Sequence, residues 1–270
     1  MLKKRLIFTF LYSNGYFVQS RNFNLQNVGD LNWIKKNYKL TNISNFIDEL
    51  IVIDISRNQK NQKKFIKNLK EISNNFFIPI TAGGGIKNLE DAKNLLENGA
   101  DKVIVNSMLF ENINKINDIA KVYGSQSIIG SLDYKYYNNN VLLFSSNGEN
   151  LIKKPFSFLI KKLNKLNLGE ILLHSIDKDG TGMGLDLNIL KYIKKNIKKP
   201  IIISGGCGNY LHIVEGLKNK KINAVVTSNL FNFINDGLEL ARKQMYKKKI
   251  ELTNWNPEKI KSLKNLFSKK

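Results

Sequence analysis

One cysteine, Cys207, and two histidines, His174 and His212, are all that this 270-residue chain offers of those residue types. A lone cysteine excludes an internal disulfide and suits a reducing, cytoplasmic setting. With Cys207 in a glycine turn and the histidines apart from it, no cluster has metal-ligand spacing, so neither a metal nor a cofactor is expected. No apolar run reaches the roughly 18 residues of a membrane-spanning helix. The start, MLKKRLIFTFLYSNG, has a short apolar core with no small-residue cleavage site after it, so no secretory leader is expected. Acids are scarce too: 22 Asp and Glu face 43 Lys and Arg, a formal charge of +21. The lysines are scattered among asparagines, as in KKFIKNLKEI and LKYIKKNIKK. That reads as a solvated surface, with no nucleic-acid partner expected.

What is present is a regular alternation. Hydrophobic residues make up 42% of the chain, enough for a sizeable core. Short β-branched runs near 5–11, 49–55, 78–82, 101–106, 127–133, 170–175, 201–204 and 223–227 read as strands. Helical stretches lie near 31–38, 62–75, 88–98, 114–122, 155–166, 188–195, 210–219 and 235–248. The strand runs lack polar alternation, as expected for parallel strands buried on both faces. Eight such units predict a closed (β/α)8 TIM barrel over residues 1–250, in preference to a doubly wound open sheet. Residues 251–270 read as a basic C-terminal extension, EKIKSLKNLFSKK being a candidate amphipathic helix.

The chain also repeats itself. ELIVIDIS starts at Glu49 and EILLHSID at Glu170, an offset of 121. Gly84 in IPITAGGGI and Gly205 in KPIIISGGCG stand at that same offset, as do Asn106-Ser107 and Thr227-Ser228. Three matches at one offset point to duplicated half-barrels of four strands.

The repeated parts suggest anion binding. A glycine turn after a strand lets backbone N–H groups approach phosphate, and a following helix N-terminus adds favourable partial charge. Gly84 and Gly85 with Asn106 and Ser107 form one expected site; Gly205 and Gly206 with Thr227 and Ser228 form the other. Between them, Asp133 and Asp179 are the candidates for moving protons, since barrel chemistry sits at the C-terminal strand ends. Gly180 and His174 belong to the same stretch, HSIDKDGTGMG, and His174 is a candidate for bonding substrate or phosphate. Asp54 and Asp177 could equally cap turns. At the opposite strand ends, Arg5, Glu49, Lys102 and Glu170 could close a salt-bridged ring across the bottom of the barrel, as a plug or gate.

Together, IDELIVIDI, GGGI, GADKVIVNS, YGSQSIIGSLD, GEILLHSIDKDGTGMG and ISGGCG resemble the cyclase subunit of imidazole glycerol phosphate synthase, over nearly the whole chain to about residue 248. The resemblance implies a phosphate-binding barrel paired at its N-terminal face with a glutaminase subunit of the HisH type. Ammonia would enter through Arg5, Glu49, Lys102 and Glu170 and meet a bisphosphorylated ribulosyl-formimino-aminoimidazole carboxamide ribonucleotide. Products would be imidazole glycerol phosphate and an aminoimidazole carboxamide ribotide.

One departure stands out. The family's acid/base pair is two aspartates, ending strands one and five; Asp133 matches the second, but Leu11 falls where the first should be. A lysine in the next loop is Gln19, the strand-six threonine is His174, and an alanine of the second glycine loop is Cys207. Leucine transfers no protons, and losing one acid/base group costs about 10²–10⁴ in rate. That pattern resembles a divergent branch linked to acetamidino modification of surface-polysaccharide sugars, where barrel and glutaminase feed ammonia to a separate amidotransferase. Ordinary cyclisation in histidine synthesis is the alternative.

Overall fold

The computed structural model describes residues 3–38, 43–57, 60–193, 197–228 and 237–253. Strand β1 (Arg5–Ser13) runs into a hairpin of β2 (Tyr16–Arg21) and β3 (Asn24–Gly29), and α1 (Leu31–Tyr38) follows. Then come β4 (Glu49–Asp54), α2 (Gln62–Ser73), β5 (Ile80–Gly83), α3 (Leu89–Leu96) and β6 (Lys102–Val105). Two helices, α4 (Met108–Glu111) and α5 (Ile113–Tyr123), lead to β7 (Ile128–Tyr137), which carries a second hairpin, β8 (Asn140–Ser145) and β9 (Asn150–Ile152). The chain closes through α6 (Phe156–Leu163), β10 (Glu170–Ser175), α7 (Ile189–Tyr192), β11 (Ile201–Ser204), α8 (Tyr210–Lys218), β12 (Ile222–Thr227) and α9 (Gly237–Lys247).

Eight strands, β1, β4, β5, β6, β7, β10, β11 and β12, pair in parallel in that order, and β12 returns to β1. This is the expected closed (β/α)8 barrel. Its interior is packed with Ile7, Ile51, Ile104, Ile129, Leu172, Ile202, Ala224 and Val226. A larger core lies between the strands and the helices, where Leu69, Ile72, Ile116, Ile119, Leu159 and Ile213 cover the outer face.

The duplication is visible in the registers. Leu11 pairs with Ile53 between β1 and β4, and Asp133 pairs with His174 between β7 and β10. Gly84 (φ 108°) packs so tightly on the Asp54 backbone that any Cβ would collide with the Asp54 carbonyl oxygen. Gly205 (φ 98°) meets the Ser175 backbone in the same way, and both pairs stand 121 residues apart.

The hairpins are new relative to the sequence expectation. Strands one and five were expected to end near Leu11 and Asp133, yet both run on above the barrel and fold back. Two-residue turns at Asn14-Gly15, Asn22-Phe23 and Asn138-Asn139 supply the positive φ that hairpins favour. Phe23, at φ 65°, is an outlier for a bulky residue. The expected helix 188–195 is described as α7 alone, and its residues 194–195, like 235–236 of the last expected helix, lie outside the described residues.

The start of the expected extension is built into the barrel base. Leu252 is buried and bridges in parallel to Lys4, with the Lys4 N–H donating to Glu251 O at 2.9 Å. Residues 254–270 lie outside the described residues. Beneath this edge, Arg242 donates to Asp48 Oδ1 at 2.9 Å, both side chains being buried, and also to the carbonyls of Phe46 and Thr253. Arg242→Met should leave Asp48 buried without its cation, with only the Leu6 N–H and the Thr253 hydroxyl donating to it, lowering stability by about 3–5 kcal/mol in urea unfolding. A loss under about 1 kcal/mol would mean that water replaces the guanidinium.

Candidate functional site

Four charges meet at the N-terminal end of the barrel. Arg5 bonds Glu49 Oε1 at 2.5 Å and pairs with both oxygens of Glu170. Lys102 reaches Glu49 at 3.3 Å and Glu170 at 2.7 Å. The expected ring is therefore closed, each acid touching both bases. Burial would raise the pKa of Glu170, but the Arg5 hydrogen bond and the charges of Arg5 and Lys102 hold it below its ordinary value.

At the C-terminal end lies a cavity of about 380 Å³. Its floor includes Thr9, Ile51, Ile104, Leu172 and Val226, so the apolar interior opens directly into it. One side wall is polar: Asp133, His174, Ser131, Ser204 and Asp179. Ser131 donates to Asp133 Oδ1 at 3.2 Å, and His174 Nδ1 lies 3.0 Å from Ser204 Oγ. His174 Nε2 lies 3.7 Å from Asp179 Oδ1. The equivalent places in the other half-barrel are Leu11 and Ile53, so the facing wall is apolar. Burial pushes the Asp133 carboxyl above its usual range; the His174 charge and the Ser131 hydroxyl oppose this, and Asp179 adds to it.

Asp179 is tied down on its other oxygen. Ser20 and the Phe23 N–H both donate to Oδ2, fastening the first hairpin over the cavity. The Phe23 ring stacks on the His174 imidazole, centroids 5.5 Å apart and planes within 18°. Arg57 donates to Phe23 O at 2.8 Å. Asp179 thus latches the hairpin and stands beside the His174 ring.

The two glycine ends differ. Gly84, Gly85, Asn106 and Ser107 all line the cavity, joined by Lys60 and Lys87. Lys60 donates to Asp54 O at 3.0 Å; burial chiefly, with Lys87 nearby, lowers its pKa against the opposing pull of Asp54. Gly180, Gly205, Gly206, Thr227 and Ser228 also come together, with Gln19 and Asp179, but around a space of about 20 Å³, room for one water. Several expected donors are already engaged. The Asn106 amide donates to Ser131 O and Phe144 O, and the Thr227 hydroxyl to Cys207 O. The N-termini of α3 and α8, expected to face phosphate, are instead capped by their own Asn88 and Asn209 side chains. Asp54 and Asp177 hold backbone, binding Ser56 and the Tyr136 N–H. Cys207 is inert: burial pushes its thiol up to about 12, against a bond with Thr227.

Lys60, Arg57, Phe23, Ser146 and Asn147 were missed from sequence. The last three sit on hairpin turns, and the SNG, RNF and SSNGEN turn signals could have placed them.

The fold is a (β/α)8 barrel whose main cavity opens at the C-terminal strand ends. Residues 22–234 match the family model described as "Histidine biosynthesis protein". The chain is 44% identical over 256 residues to a Parasynechococcus marenigrum protein named, provisionally, imidazole glycerol phosphate synthase subunit hisF2, covering 94% of this chain and 95% of that one. It is 32% identical over 252 residues to the HisF subunit of Chlorobium phaeobacteroides, covering 93% and 99%, and 35% over 219 residues to that of Sulfurisphaera tokodaii, covering 81% and 86%. The chain belongs to the HisF family of imidazole glycerol phosphate synthase subunits. Among the described residues, no helix is long and apolar enough to cross a membrane.

The Asp133 environment has a thermodynamic signature. A carboxyl whose pKa is raised by folding weakens the fold as pH rises from its free value, about 3.9, through the raised one. Asp133→Asn should therefore be more stable than the wild type at neutral pH, and the difference should vanish below about pH 4. An equal or lower melting temperature for the variant at pH 7 would contradict a desolvated Asp133.

Proposed function

We propose that the chain is the ammonia-receiving barrel of a cytoplasmic glutamine amidotransferase complex. A glutaminase subunit docks on the N-terminal face, above the Arg5–Glu49–Lys102–Glu170 ring. Ammonia passes the ring and crosses the isoleucine-lined interior as the neutral molecule, since ammonium would lose its hydration there without a partner. It emerges into the cavity at the opposite face. A phosphorylated ligand sits there with its phosphate on the Gly84–Gly85 turn beside Lys60, where backbone N–H groups and a cation converge. The second end, at Gly205–Gly206, takes an anion once the latched hairpin lifts.

The destination of the ammonia is amidino-group formation on a surface-polysaccharide sugar nucleotide, completed by a separate amidotransferase. One observation carries this choice over cyclisation: Leu11 and Ile53 make an apolar wall where an acid should face Asp133. The second reading, the imidazole glycerol phosphate synthase cyclase of histidine biosynthesis, is favoured by the Asp133, His174 and Asp179 set on the other wall.

Turnover of the ribulosyl substrate with saturating ammonium separates the two, because it bypasses the glutaminase. The expected rate lies several powers of ten below the usual enzyme range of about 1–10³ s⁻¹, and a rate within that range assigns the chain to the cyclases. The ring is tested with Glu49→Ala and Glu170→Ala combined. Glutamine-dependent transfer should fall while ammonium-dependent transfer persists; intact coupling to glutamine would remove the ring from the ammonia path.

A further inference from the structure

Residues 20–23 of the first hairpin are where the roof of the cavity is fastened, and they are fastened from two sides. The loop after β10 holds one side. Asp179 Oδ2 accepts from the Ser20 hydroxyl and from the Phe23 N–H at 3.1 Å, and Asp179 O accepts from the Asn22 N–H at 3.0 Å. The connection after β4 holds the other, through Arg57 Nη2 donating to Phe23 O at 2.8 Å. The second hairpin leans on the same point. Gly148 lies so close to the Phe23 ring that a Cβ there would collide with it, and Arg57 Nε stands 3.6 Å from Glu149 Oε1.

These contacts work against backbone strain. Asn22 and Phe23 stand at φ 49° and φ 65°. An asparagine tolerates that region, but a bulky residue such as Phe23 keeps it only while its surroundings impose it. Once the contacts on residues 20–23 weaken, the strain favours release of the hairpin.

Each half of this fastening abuts a different glycine end. Arg57 lines the main cavity beside Lys60 and Gly85. Its bond to the neutral Phe23 carbonyl is weaker than one to a phosphate oxygen, so an anion on the Gly84–Gly85 turn competes for the guanidinium. Asp179 lines the narrow space at Gly205 and Gly206 together with Ser20. That space, about 20 Å³, has no room for an anion beside a carboxylate of like charge. An anion enters it only when Asp179 turns away, and turning away frees the Ser20 hydroxyl and the Phe23 N–H. Occupying either end therefore removes part of what holds the same four residues.

We propose that Arg57 and Asp179 are the two ends of one latch that couples the anion sites: an anion at Gly84–Gly85 draws Arg57 from Phe23 and eases entry of a second at Gly205–Gly206. The inference rests on the reading above, in which both ends take an anion. Coupling of two sites through one shared element is typically worth about 5–150-fold in affinity and acts equally in both directions.

The test titrates the complete chain with inorganic phosphate at fixed ionic strength by calorimetry, and follows amide hydrogen exchange over residues 16–29. Two phosphates should bind cooperatively, with a sigmoidal isotherm, and exchange over the first hairpin should quicken as they do. Asp179→Asn, which keeps the shape and removes the repelling charge, should bind the second phosphate at least about fivefold tighter and lose the cooperativity. Arg57→Gln should lose it too, and should exchange faster over the hairpin before any phosphate is added. Arg21→Gln, which neutralises an exposed charge on the same hairpin, should leave the isotherm sigmoidal. Two independent sites, or hairpin exchange that is unchanged or slowed by phosphate, overturn the latch and leave both anion ends standing. Cooperativity lost equally in Arg21→Gln overturns it as an effect of bulk charge. A second end that takes no phosphate even in Asp179→Asn removes that part of the functional reading and this inference together.

Discussion

Closing eight parallel strands into a barrel leaves every second side chain of each strand inside, and this alternation sets what each level of the interior can be. Along β1 the inward positions are Arg5, Ile7, Thr9 and Leu11; along β10 they are Glu170, Leu172 and His174. Charges therefore meet at the bottom, branched aliphatic residues fill the middle, and the chemistry stands at the top. Four buried charges are tolerable only because each acid touches both bases, since an unpaired ion there would cost several kcal/mol. The aliphatic layer then divides a sealed, charged base from a cavity that opens to solvent.

The same alternation exposes how the two half-barrels have diverged. Their registers superpose Leu11 on Asp133 and Ile53 on His174, so duplication supplied two equivalent walls and substitution kept only one of them polar. On the polar wall, Asp179 is bound on one oxygen to the first hairpin and turned on the other toward His174. Chemistry that needs proton donors on both sides of a ligand is thereby confined to a single side. Chemistry that needs only an ammonia outlet and a phosphate anchor is untouched. That difference is the physical basis of the proposal that this member of the HisF family delivers ammonia rather than cyclising a substrate.

Much of this was legible in the sequence, for reasons that can be named. Parallel strands buried on both faces give continuous β-branched runs, and their spacing with the helices yields the barrel. Arg5, Glu49, Lys102 and Glu170 were found because each is a charge opening a strand; which way such a residue turns is set by register, since Ile80, Ile128, Ile201 and Ile222 open the other strands and pack in the outer core. The hairpins were not found: β2 and β8 carry apolar residues, Phe17-Val18 and Val141 to Phe144, but these short strands, with β3 and β9, fall outside the regular strand–helix alternation that yields the barrel. With them went Phe23, Ser146 and Asn147. Asn106 and Thr227 were named as phosphate donors from position alone; whether a polar side chain is free or bonded to a neighbouring carbonyl depends on contacts that sequence spacing does not contain. The same holds for the α3 and α8 N-termini, where the Asn88 cap takes up the Asp91 N–H and the Asn209 cap those of Leu211 and His212.

The central claim is that ammonia reaches the cavity through the barrel interior, sheltered from solvent. Supplying the assembled complex with amide-¹⁵N glutamine in a bath of excess unlabelled ammonium, and reading the isotope in the aminated product by mass spectrometry, tests it directly. Passage through the ring and the isoleucine layer requires that the product carry mostly ¹⁵N even though unlabelled ammonia dominates outside. A product that takes the isotopic composition of the bath would contradict it.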